Sequence, residues 1–212
     1  MRLGQFDQHE APGLKRKASH ATKNHVGKAN EMVEFMDAHE EEWLKTYQQR
    51  AWAIAHSQLE HEEQPLSIFV VHKDLTDPKE NPINARFPSR TIFNPVILST
   101  KVESKKTKTV MKTVMNPTTG RRELREVTET YEIPNTITSK EGCMSFAHRK
   151  PKNVERFFRI KVRYWYPVTI LGFTFLWRRT EWCEGLKSFI FQHEIKHFGA
   201  EDIYHGTETS KV

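Results

Sequence analysis

The sequence predicts an α+β protein built as one domain over residues 1–212. Three observations carry this reading. A helical stripe runs through 26–50 and a second amphipathic helix occupies 185–199. Between them lie short runs rich in aromatic and β-branched residues, punctuated by Pro and Gly, as strands should be. A chain of 212 residues buries a proper core.

Composition narrows the class. A mean hydropathy of -0.70 and the lack of any long apolar run exclude a membrane-spanning helix. Met1-Arg-Leu-Gly-Gln-Phe-Asp offers no signal-peptide core, so a cytosolic protein is expected. Two cysteines are too few for a disulfide framework, and in a reducing compartment a functional cysteine is a ligand or a nucleophile. The net charge of +6 permits contact with nucleic acid, but no basic block specifies it.

Taken in order, residues 1–24 are polar and aperiodic and read as an extended arm. Ala29, Met32, Val33, Met36, Trp43, Leu44 and Tyr47 form the stripe of a helix lying over a core. The run Glu40-Glu-Glu reads as a solvated face, because adjacent carboxylates on a helix point in different directions. Ala51-Trp-Ala-Ile-Ala-His-Ser-Gln58 has the small residues that suit close backbone approach, and Leu66-Ser-Ile-Phe-Val-Val-His-Lys follows as a strand. Asp77-Pro and Asn81-Pro mark a loop; Thr91-Ile-Phe-Asn-Pro-Val-Ile-Leu-Ser is the next strand, with a proline irregularity. Alternation on either side of Asn116-Pro-Thr-Thr-Gly120 predicts an exposed hairpin over 105–131. Glu141-Gly-Cys-Met-Ser-Phe146 reads as a polar turn, and 155–166 and 168–178 as two strands broken at Tyr166-Pro167.

The final helix carries the chemistry. Leu186, Phe189, Ile190, His193 and His197 recur at spacings of three and four, so both imidazoles share the apolar stripe that faces the core. Gly199 fits a left-handed cap at its end. Two imidazoles one turn apart grip one cation, and Glu194 beside the first handles a proton on metal-bound water, which are the mechanics of H-E-x-x-H. A His-x-x-x-His pair is also found as two merely packed histidines, so a third ligand decides. Cys143, Cys183 and the acids Glu201 and Asp202 are the candidates. Were Cys183 on the same helix it would lie about 15 Å from His193, and the acids would need the chain to fold straight back. Cys143 sits on a separate segment free to approach, which leaves Cys183 as an ordinary buried thiol.

The combination of Glu141-Gly-Cys-Met-Ser with Gln192-His-Glu-Ile-Lys-His resembles peptide deformylase, whose motifs are E-G-C-L-S and Q-H-E-x-D-H. The family's G-x-G-L-A-A-x-Q is similar to Ala51-Trp-Ala-Ile-Ala-His-Ser-Gln58, and its I-N-P-x-I strand is similar to Phe93-Asn-Pro-Val-Ile. The likeness runs from about Ala51 to His205, with the hairpin as an insertion.

The resemblance implies antiparallel and mixed sheets packed around the helix with the two histidines. It implies Cys143, His193 and His197 as ligands of one divalent metal, Glu194 as general acid/base, and Gln58 with the backbone N–H of Met144 as donors to the formyl carbonyl. A thiolate with two imidazoles suits Fe(II) or Zn(II), with Ni(II) or Co(II) as substitutes. The implied reaction is hydrolysis of N-formylmethionyl peptides to formate and a free amine. The methionine side chain would enter a pocket of Trp52, Ala53, Leu186, Phe189 and Ile190.

The departures are as informative. Ala51 and Ala53 replace two motif glycines and remove positive-φ freedom. Lys196 replaces the family's aspartate and reverses a charge next to a ligand. The short tail has no room for the C-terminal helix by which some members dock at the ribosome; contact through the basic surface is the remaining route, and such a compact form suits a phage or organelle gene. Two rival readings stand beside this one: an H-E-x-x-H zinc metalloprotease, and a deformylase-like protein that binds formylated peptides or ribosomal RNA without turnover.

Overall fold

The computed structural model describes residues 16–48, 50–59, 64–80, 86–100, 105–115, 117–118, 120, 122–132, 135–146 and 149–204. Expectations for residues 1–15, for Asn81-Pro82, for parts of the Asn116–Gly120 turn and for the tail after 204 lie outside these residues. The chain divides into two compact units, one of Met1–Thr100 with Thr136–Val212 and the other of Lys101–Asn135.

The larger unit is three-layered. A helix α1 (Val26–Tyr47) covers one face of a sheet and a helix α2 (Gly185–Phe198) covers the other. The strands are β1 (Ala53–Ala55), β2 (Ile68–Val71), β3 (Thr91–Ser99), β8 (Arg159–Ile170) and β9 (Phe173–Glu184), in the order β1-β2-β3-β8-β9, each antiparallel to its neighbours. Strand β2 is buried at every residue, which is why Ile68-Phe-Val-Val71 reads as a continuous apolar run. Ile68 and Val70 meet Met32, Met36 and Ala29 of α1, while Phe69 and Val71 meet Phe191 and Ile190 of α2. On the α2 side Phe191 stands 5.5 Å from Phe69 edge-on, 5.4 Å from Phe87 and 5.2 Å from Tyr164. Burying each of these rings stabilises the fold by about 1.5–3 kcal/mol.

Several sequence expectations need correction. Helix α1 ends at Tyr47 with Gln48 at φ 54, and its stripe includes buried Phe35 while Leu44 is exposed. Glu40 is no solvated carboxylate: it bonds the buried His72 at 2.7 Å and Lys73 at 3.0 Å, tying α1 to the end of β2. Pro167 breaks nothing, because it lies past the last residue of β8 paired to β3, where a missing N–H leaves no gap in that ladder. The break falls earlier, at Phe158, and the turn later, at Leu171 (φ 50) and Gly172 (φ 80), the two positive-φ positions of a type I′ hairpin. The proline irregularity in β3 is present as a register shift between Phe93 and Val96. There Asn94 takes φ 47, bonding the backbone of Ala21 through both side-chain atoms. That contact fastens the described part of the arm, whose Ser19 also bridges to Leu66.

Gly185, at φ 54, turns the chain from β9 into α2 and donates its N–H to Phe158 O at 2.9 Å. At the other end the left-handed residue is Ala200 (φ 64), not Gly199 (φ -82). Glu201 N–H reaches Lys196 O and Ala200 N–H reaches His197 O, so the closing motif is the expected one displaced by one residue.

A second, two-stranded sheet pairs β6 (Thr136–Glu141) with β7 (Lys152–Phe157). The smaller unit is the hairpin of β4 (Lys105–Met115) and β5 (Arg122–Glu132), in register from Lys105 opposite Glu132 to Met115 opposite Arg122. Met111, Met115 and Leu124 stand exposed on it, as an exposed ribbon predicts. Among the described residues no helix is long and apolar enough to cross a membrane.

Candidate metal centre

Three elements bring the expected ligands together. Helix α2 presents His193 and His197 one turn apart, with ring centroids 5.0 Å apart. Strand β6 runs into a short 3-10 turn, Met144–Phe146, and sets Cys143 against them. The nitrogen and sulfur donors of Cys143, His193 and His197 all lie within 4.8 Å of one another, and Cys143 Sγ is 3.6 Å from His197 Nε2. The expected polar turn around Cys143 is in fact buried from Cys143 through Phe146, since Phe146 packs with Ile203 beneath the sulfur. Cys183 is not on α2 but at the end of β9, fully buried against the α2 core, where burial pushes its thiol up to about 12.

The donor set fits a cation on the structure's own terms. His193 Nδ1 is 3.0 Å from Glu141 Oε2, which leaves its other nitrogen for the centre. Burial opposes charge on His193, yet the Cys143 sulfur and Glu141 more than offset it and its pKa rises to about 10. Burial and the neighbouring His193 drive His197 well below the usual range.

Glu194 is buried, and its Oε2 has no hydrogen-bond partner among the described residues. Burial raises its carboxyl to about 7, with His193 opposing and Glu141 adding. An orphaned carboxyl oxygen beside a thiol and two imidazoles is costly unless it acts on something placed there. Gln58 closes the other side: Ala55 N–H fixes its Oε1 at 2.7 Å, while Nε2 points at Cys143 Sγ (3.4 Å) and Ser145 Oγ (3.2 Å).

A cavity of about 370 Å³ opens onto the group, lined among others by Trp52, Ala53, Gln58, Cys143, Met144, Leu186, Phe189, Ile190, His193 and Glu194. The apolar stripe of α2 thus faces this cavity rather than a closed core, which explains the exposure of Leu186. The opposite face of α2 is buried too, and the intruding Lys187 is satisfied there by Glu181 at 2.6 Å and Arg86 O at 2.7 Å. Neither Ala51 nor Ala53 is at positive φ, so the glycine replacements are accommodated in ordinary backbone.

Sequence reasoning assigned no role to Glu141, Arg156 or Gln192. Arg156, buried on β7, grips Glu141 through two bonds of 2.8 and 2.7 Å and so aims it at His193; Glu141 is held down to about 2, burial being outweighed by His193 and Arg156. Gln192 bonds both backbone groups of Phe157 and Ser188 Oγ, locking α2 to β7. Position 141 in the motif was a signal for the first; Arg156 and Gln192 needed the fold. Half-buried Lys196 has its pKa lowered by burial and by Arg156, so the charge reversal sets two cations near each other. Glu141→Gln is expected to weaken metal binding by about 10–100-fold, read by competition with a chelator; unchanged affinity would take Glu141 out of the positioning role.

In a mixed fold wrapped around a helix with two histidines, a cysteine donor and a glutamate whose Oε2 has no partner among the described residues complete a group that could hold one metal ion. The profile of the polypeptide deformylase family matches residues 5–208, and the chain belongs to that family, whose members remove the N-formyl group from methionine. A search of curated protein sequences finds no match. Solved structures share the fold. Peptide deformylase from Thermotoga maritima is 22% identical with a TM-score of 0.54, covering 95% of this chain and 93% of its own. That of the Vibrio parahaemolyticus bacteriophage VP16T, in complex with actinonin, is 17% identical with a TM-score of 0.53, covering 96% and 100%. The class I type b enzyme of Acinetobacter baumannii bound to Met-Ala-Ser is 16% identical with a TM-score of 0.54, covering 95% and 94%.

Proposed function

We propose that Cys143, His193 and His197 hold one Fe(II) or Zn(II) ion, with Ni(II) or Co(II) as working substitutes, and that this centre deformylates N-terminal formylmethionine. The observation that carries the reading is the Glu194 oxygen, without a partner among the described residues, beside the three donors in the lining of the cavity. When bound, the metal supplies Lewis acidity and an ionisable water.

The chain's own residues do the rest. Trp52, Ala53, Leu186, Phe189 and Ile190 hold the methionine side chain and exclude water around the formyl group. Glu194 Oε2 takes the proton lost by the attacking water and returns it to the amine nitrogen as the C–N bond breaks, so water and formamide become formate and amine. Gln58 Nε2 and Met144 N–H donate to the oxygen on which charge develops. Glu141, anchored by Arg156, keeps the His193 ring oriented.

The chain is read as one deformylase domain over 1–212 with an arm over 1–24 and the 105–131 hairpin inserted in it, working in the cytoplasm of a bacterial host or in an organelle, with ribosomal contact through basic surface. The test is to load the protein anaerobically with Fe(II), or with Ni(II), and to offer a formyl-Met tripeptide beside an unblocked protein. Formate from the tripeptide with the protein intact supports the reading. Internal cleavage without formate would support a protease, and tight formyl-peptide binding with neither product would leave a binding protein on an enzyme's scaffold.

A further inference from the structure

Among the described residues, the sheet of the larger unit is only partly covered on its α1 side. Along β8, Ile160, Val162 and Tyr164 face α2, and strand alternation therefore puts Lys161, Arg163 and Trp165 on the opposite face. The register with β9 sets Trp182 beside Lys161 and Arg178 beside Trp165. Trp165 leans against the α1 core, but Trp182 is 39% exposed and Arg178 is exposed.

Aromatic and cationic side chains interleave here. Arg163 lies 5.8 Å from the Trp165 ring centroid, and the Trp182 ring has Arg159 at 4.9 Å and Lys161 Nζ at 6.0 Å, each at cation–π range. Lys161, Arg163 and Arg178 form no ion pair among the described residues. The carboxylate of Glu181 points to the other face, held by Lys187 and Tyr164, and Glu184 at the strand end is engaged by Arg159 at 3.1 Å. Beside Trp165 the face runs into a groove of about 330 Å³.

We propose that this face binds single-stranded RNA, with phosphates at Lys161, Arg163 and Arg178 and bases stacked on Trp182 and against Trp165. Lys161 and Arg163 stand about 7 Å apart along β8 and Arg178 lies across from Trp165 on β9, so an extended backbone can pass the three cations while Trp182, beside Lys161, and Trp165, beside Arg178, receive bases at the two ends. Bases inside a duplex are stacked on their neighbours, and only unpaired bases offer their faces to tryptophan. The choice of RNA over DNA rests on the proposed function, since an enzyme acting on new peptide chains works beside RNA; the face lies on the side of the sheet away from α2 and is independent of the chemistry there.

Fluorescence anisotropy with a labelled single-stranded RNA of about 20 nucleotides, longer than one typical site, tests this over a range of salt. The combined variant Lys161→Gln, Arg163→Gln, Arg178→Gln is expected to lose about tenfold or more in affinity and to flatten the log–log salt slope by about 2, at roughly 0.7 per phosphate contact. Trp182→Ala is expected to weaken binding about fivefold or more with the slope unchanged, because stacking releases no counterions. Both variants should keep the wild-type melting curve and rate of formate release, which separates this inference from the deformylase reading. No binding by the wild type near physiological salt would overturn it. So would an equal loss in a control carrying Lys45→Gln, Lys79→Gln and Lys150→Gln, tighter binding of the matching DNA strand, or protection of the face by a second copy of the chain or by anionic vesicles instead of RNA.

Discussion

Glu194→Gln is expected to release formate from a formyl-Met tripeptide at least about 10²-fold more slowly than the wild type, the scale of general acid/base work. Metal content and the melting curve should not change. The amide fills the same buried volume, and position 194 lies outside the Cys143, His193 and His197 donor group, so the proposed centre keeps all three donors. What the amide lacks is a site for a proton. In the native protein burial brings the Glu194 carboxyl to about 7, where taking and returning a proton near neutral pH is nearly balanced. Its Oε2 spends no bonding capacity on the surrounding protein. A rate equal to that of the wild type, with metal bound, would remove Glu194 from the mechanism. A rate loss accompanied by loss of metal would instead make it part of the binding set.

Much of the site was legible because it is carried by local periodicity. The positions 193 and 197 share a helix face by geometry alone, and 143 stood on a separate segment free to approach, whereas the distance argument against Cys183 assumed a place on α2 and the thiol lies at the end of β9. What stayed hidden depends on partners far along the chain. Arg156 and Glu141 are brought together by the β6–β7 register, which no pattern in either strand announces. The burial of the Cys143 turn is set by Phe146 against Ile203, residues 57 positions apart in sequence. In the fold, helix existence was plain but the ends were displaced: an alanine, not the adjacent glycine, took the left-handed position of the closing motif. Pro167 misled because a proline interrupts a strand only where its N–H is needed, and whether β3 extends that far is a tertiary fact. The same holds for Glu40, which looked solvated until His72 and Lys73 were placed beside it.

Cys143→Ala should strip most of the metal from the purified protein, while Cys183→Ala should leave metal content and formate release intact. The two thiols differ in surroundings rather than in burial. Cys143 Sγ stands 3.6 Å from His197 Nε2 and receives the Gln58 amide at 3.4 Å, so the sulfur is already oriented among the other donors. Removing it leaves two imidazoles, and a soft thiolate contributes much of the affinity for Fe(II) or Zn(II). Cys183 sits at the end of β9 in the apolar core beneath α2, and burial pushes its thiol up to about 12, so it stays protonated and inert. Its loss leaves a small cavity and a stability cost of about 1 kcal/mol, visible in the melting curve and not in metal analysis. Metal measured per chain in both variants, beside a thermal melt, separates the roles: retention of metal in Cys143→Ala, or its loss from Cys183→Ala with the fold intact, would overturn the ligand assignment and with it the reading of the centre.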